Sequence, residues 1–169
     1  MAMKYDFGDR LIAGKAVASA RASWWPRHCR AVGRYLSIFG GRGFDPVREA
    51  ISADAAEWEK ILPDAARESL MGRHSALEMT LVDAARTKDL RRIDTVGQML
   101  LQNADRQATV YAEAIKEFPG GAYRRLLAEH VLLFTKSVRL RMEGAKDPAV
   151  EDAERSNTLA LAAFTAEWF

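Results

Sequence analysis

The placement of proline and glycine is the strongest constraint on what this chain can fold into. Its five prolines stand at positions 26, 46, 63, 119 and 148, and the glycine groups Gly40-Gly41-x-Gly43, Gly120-Gly121 and Gly144 lie close to three of them. The stretches between are rich in Ala, Leu, Arg, Glu and Met, and the strict alternation of a half-buried strand is missing. Strong helix formers between breakers predict an all-α chain. Six helices are expected, over about residues 23 to 39, 46 to 62, 64 to 87, 90 to 118, 122 to 143 and 148 to the end. Pro26 falls in a first turn, where amides lack partners anyway. Asp45-Pro46, Asp89 and Asp147-Pro148 supply N-cap signals. Connections this short make neighbours antiparallel. The expected fold is therefore an up-and-down helical bundle of about six helices, built from repeated helical hairpins. Residues 23–169 form its single domain, preceded by an arm or short helix over residues 1–22.

At 169 residues the chain can bury a real core, and its 49% apolar and 28% charged content is ordinary for a globular domain. A net charge of +2 gives little pull on a polyanion, so no nucleic-acid partner is expected. No apolar run is long enough to cross a bilayer. The stretch from Leu11 to Ala20 is interrupted by Lys15 and makes a poor leader. No membrane partner is expected, and the cytoplasm is the expected location. A lone Cys29 excludes an intramolecular disulfide and a cysteine-built zinc site.

An internal echo carries the functional argument. Trp24-Trp25-Pro26-Arg27-His28, Leu70-Met71-Gly72-Arg73-His74 and Leu126-Leu127-Ala128-Glu129-His130 share one pattern: two bulky apolar residues, a small or ring residue, a charged residue, then histidine. All three histidines of the chain fall there. Lys88-Asp89 with Asp94 and Lys146-Asp147 with Asp152 repeat a second spacing. Such recurrence suggests one hairpin unit used more than once.

Each histidine stands beside apolar residues, so it enters the core needing partners for two polar nitrogens. Asp54, Asn103, Asp105 and Glu78 are the polar groups available, and Glu78 shares a helix face with His74, one turn on. A site of His28, His74 and His130 with Glu78 or Asp105 would suit a first-row transition-metal ion, provided the three helices meet at one level. The Glu-x-x-His motif of di-iron bundles is missing, and Glu129 points about 100° away from His130.

Trp25-x-x-His28, His74, Asn103-Ala104-Asp105 and Leu126-Leu127-x-Glu129-His130 followed by Thr135-Lys136 together resemble an uncharacterised family of small all-helical bacterial proteins. The likeness runs from about Trp24 to Met142. It departs after Asp147, where the last helix looks shorter and Leu161 stands at the place matching Asn103. The resemblance implies the bundle and adds weight to the histidine positions. It implies no activity or cofactor.

The competing expectation is a non-catalytic structural or protein-interaction module whose histidines only hold helices together. The apolar run around Leu159, Phe164 and Trp168 would then offer a surface for a homodimer through the C-terminal helix. Trp24, Trp25, Tyr35 and Phe39 alternate with Arg21, Arg27, Arg30 and Arg34, which reads as an aromatic core beside a solvated arginine face. Cys29 and His28 are adjacent in sequence and so point apart on a helix, which makes Cys29 a structural cysteine rather than a nucleophile. Without a phosphate loop, a Gly-x-Ser-x-Gly elbow or His-Glu-x-x-His, no familiar enzyme class is indicated.

Overall fold

The computed structural model describes residues 23–36 and 44–169. The arm expected over residues 1–22 and the end of the first helix around Phe39 lie outside the described residues. The described residues form six α-helices and no strand: α1 (23–36), α2 (Phe44–Ile61), α3 (Leu70–Arg86), α4 (Leu90–Ala114), α5 (Gly120–Met142) and α6 (Pro148–Trp168). Successive helices pack on one another from α2 to α6, and α3 also packs on α5. The expected all-α bundle is what the chain forms. No helix among the described residues is long and apolar enough to cross a membrane.

Sequence signals place most helix ends. Asp89 caps α4 by accepting from the Arg92 amide at 2.9 Å, and Asp147 caps α6 by accepting from the Ala149 amide at 3.0 Å with Pro148 in the first turn. Gly144 takes a φ of +70° where α5 stops, and the Ala145 amide reaches back to the Leu140 carbonyl at 2.8 Å. Gly120 opens α5 against α4. A Cβ there would stand 2.9 Å from the Ala108 carbonyl oxygen, so only glycine allows that approach.

The third helix departs from expectation. Asp64–Ala66 make a single 3-10 turn, Ser69 takes a left-handed φ of 53°, and α3 opens only at Leu70. Its cap comes from another helix: Glu59 of α2 accepts from the Met71 amide at 3.1 Å, which Ser69 does not do for its own helix. A donor–acceptor pair supplied across the fold has no local signature.

Two apolar cores lie along the bundle. One gathers Trp24, Trp25, Trp58, Met71, Tyr111 and Leu127, and the other gathers Val32, Leu81, Ile93, Leu100, Val131 and Val138. On α1, α3 and α5 the chain runs from the first core to the second, and on α2 and α4 it runs back. The odd-numbered helices are thus parallel. Each carries its histidine at the junction, after Trp25, Met71 and Leu127 and before Val32, Leu77 and Val131. The sequence echo therefore sets three imidazoles at one depth.

The apolar C-terminal run is mostly consumed within the chain. Phe164 and Trp168 are half-buried, edge-on to Phe118 at centroid separations of 5.6 and 6.0 Å, and Phe169 is buried. Only Leu159 of the expected surface stays open, at 60% exposure. This packing has a simple cause: the Phe118-Pro119 corner brings an aromatic cluster to that end of the bundle, and α6 packs on it.

Candidate metal centre

His28, His74 and His130 converge on one carboxylate, Glu78. His28 Nε2 lies 2.9 Å from Glu78 Oε2, His130 Nε2 lies 3.1 Å from Oε1, and His74 Nε2 lies 3.4 Å from Oε1. With Glu78 ionised, the His28 and His130 nitrogens donate and the carboxylate oxygens accept. The helical spacing of His74 and Glu78 puts both on one face of α3, and the parallel run of α1 and α5 brings the other two rings across to them.

The cluster is almost wholly buried. His28 and His74 have no exposed surface, Glu78 has 1%, and His130 has 7%. Trp24 stacks on His28 at a centroid separation of 4.6 Å and 11° between planes, pinned by its indole N–H donating to the Asp54 carbonyl at 2.7 Å. Trp25 meets His130 edge-on at 5.4 Å, and Phe134 stacks on the same ring. Aromatic walls exclude water and raise the strength of every charge interaction inside.

Burial pushes the Glu78 carboxyl upward, but the three imidazoles outweigh it and hold the group well below the usual carboxylate range. Burial pushes His130 below its ordinary value of 6.5, against the opposing pull of Glu78. These two shifts act on stability in the same direction. The Glu78 contribution is present above the ordinary carboxylate range near 4.5 and fades as pH falls through its lower folded value. His130 takes up a proton more readily in the unfolded chain, so stability begins to fall as pH drops through about 6.5. The metal-free protein should lose urea resistance from about pH 7.5 to about pH 5 and again toward about pH 4. A midpoint that holds steady or rises over that range would contradict the assignment.

His74 stands apart from its partners. Its 3.4 Å approach to Glu78 is not a hydrogen bond, and both its ring nitrogens are buried without a partner, as is Nδ1 of His28. One donor atom each from His28, His74 and Glu78 lies within 4.8 Å of the others. Ligands about 2.0–2.1 Å from a tetrahedral ion stand about 3.4 Å apart. The separations of 2.9 to 3.4 Å between the imidazoles and Glu78 come within about half an ångström of that spacing. These four buried residues could hold a metal ion.

The remaining sequence candidates lie elsewhere. Asp105 is exposed on α4 and pairs with Arg124 at 3.1 Å. It follows Asn103 by two residues, about 200° around the helix, so with Asn103 facing inward it faces out. Asp54 pairs with Arg27 at 3.0 Å. Asn103 donates to the Leu70 carbonyl at 3.1 Å and accepts from Gln107, which in turn accepts from the Tyr123 hydroxyl. Asn157, not position 161, is the counterpart of Asn103: it donates to the Leu126 carbonyl at 3.0 Å. Leu70 and Leu126 each stand four residues before a histidine, so both bonds brace the turn that carries one. That parallel, with Gln107 and Tyr123, escaped the sequence reading. The recurrence of Asn 29 and 27 residues after His74 and His130 was its signal.

Trp24, Trp25 and Tyr35 all point into the core, and Arg27 is paired with Asp54 and Glu57. Cys29 is mostly buried, accepts from the Thr158 hydroxyl at 3.4 Å and has its thiol pushed up to about 12 by burial, as befits a structural cysteine. Comparison with protein-family models, with curated proteins and with solved structures found no match.

Proposed function

We propose that this protein binds a divalent first-row transition-metal ion through His28, His74 and Glu78, with His130, 3.1 Å from the carboxylate Oε1, as its hydrogen-bonded support. The observation that carries this reading is His74, fully buried with neither ring nitrogen hydrogen-bonded, 3.4 Å from an enclosed carboxylate. An unpaired buried polar atom costs about 1–3 kcal/mol. Coordination through Nε2 satisfies one of the two unpaired nitrogens and gives the carboxylate a positive partner. Two imidazoles and a carboxylate are a donor set suited to Fe²⁺, Zn²⁺, Co²⁺ or Mn²⁺, and three protein ligands leave a coordination position free.

The test is elemental analysis of protein purified without an affinity tag, followed by titration with Zn²⁺ against a chromophoric chelator. One equivalent should bind, and His74→Leu should weaken it by at least about 100-fold, more than outer-shell changes usually cost. The other reading of the cluster draws on the two hydrogen bonds that Glu78 already accepts, from His28 and His130. In that case the four residues are a knot joining α1, α3 and α5. Wild-type protein that takes up none of the four ions would establish the knot and dismiss the metal.

A further inference from the structure

Among the described residues, His130 is the exposed member of the cluster. His28, His74 and Glu78 are closed to solvent, and His130 keeps 7% of its surface exposed. Against that ring lies a cavity of about 90 Å³ between α1, α5 and α6, lined by Cys29, Val32, His130, Phe134, Glu154 and Thr158. Its volume is about that of three waters in the liquid. Gly33 of α1 also borders it and is solvent-exposed, which places the mouth at that residue.

Resting on the metal reading above, we propose that this cavity is the ligand pocket of the centre, admitting a neutral molecule of two or three heavy atoms past His130 to the ion's free position. Size sets the upper limit. Polarity sets the class: Val32 and Phe134 give apolar walls, while the carboxylates of Glu154 on the wall and Glu78 behind His130 offset the charge of a divalent ion and leave no net attraction for an anion. The molecule coordinates through a lone pair, with no bond broken and no electron removed from the protein.

Nitric oxide is a suitable neutral probe and azide the matching anion. Protein loaded anaerobically with Fe²⁺ should give the half-integer-spin EPR signal of a ferrous nitrosyl on adding nitric oxide. Azide should not compete for the site. The decisive variant is Gly33→Leu. A Cβ at Gly33 meets nothing within 4 Å, so the new side chain is accommodated at the mouth and the helix gains propensity. Fe²⁺ affinity should be unchanged, while the rate of nitrosyl formation should fall by at least about tenfold, roughly one decade of barrier. Failure to retain any of the four ions would remove both this pocket and the metal reading, and failure with Fe²⁺ alone would overturn the pocket. Retained Fe²⁺ with no nitrosyl, with azide competing equally, or with an unchanged rate in Gly33→Leu would overturn the pocket alone.

Discussion

Replacing Glu78 by alanine should destabilise the metal-free protein by about 3–5 kcal/mol, because the change removes the common partner of buried groups and leaves a void among them. His28 would lose the hydrogen bond of 2.9 Å and His130 that of 3.1 Å, both inside a water-excluding shell. For a chain of this size the melting temperature should drop by on the order of 10 °C. Urea denaturation should show a lower midpoint at an unchanged slope, the mark of lost stability without a change in the surface exposed. Glu78→Gln is the companion variant. It keeps the volume and one acceptor oxygen, so it should fall between the parent and Glu78→Ala. A melting curve for Glu78→Ala indistinguishable from the parent would mean that the four residues carry no weight in the fold.

The second large effect has opposite signs for two states of the same variant. Zn²⁺ at about a hundred times its dissociation constant should stabilise the parent by about 2.7 kcal/mol, or roughly 5–10 °C in melting temperature, and a chelator should reverse it. In His74→Leu that response should vanish. Yet the metal-free variant should melt at or above the parent, since an apolar side chain of similar size replaces a ring whose two nitrogens are buried unpaired. A structural histidine gives a different pattern, with lower stability in the variant and no metal response in either protein. Differential scanning calorimetry of both proteins, with and without Zn²⁺, decides it.

How far the sequence revealed this arrangement depends on whether each determinant was local. Asp89, Asp147-Pro148 and Gly144 act within their own turns, so the helices they bound were legible. The start of α3 was not, because its cap is Glu59, twelve residues back on another helix. The place of each histidine along its own helix could be read, since one pattern of bulky residues precedes each. Their convergence could not, because it requires α1, α3 and α5 to run parallel with matched rotation about their axes. Glu78 was legible as a partner of His74 through its one-turn spacing. Its service to His28 and His130 emerges only from the packing. Phe164 and Trp168 look uncovered in sequence because Phe118, which covers them, belongs to a corner more than forty residues away.

Every imidazole of the cluster enters on a different up-running helix, so no single hairpin owns the centre. A fragment holding α3 to α6 retains His74, Glu78 and His130 but lacks His28, which α1 alone provides. Occupancy by an ion would therefore act as a seal of completed assembly, with α1 as the last piece in place. Release would follow the lifting of that one helix, Trp24 and Trp25 included, so the lifetime of a bound ion would be timed by a breathing motion of the protein rather than by the strength of any one coordinate bond.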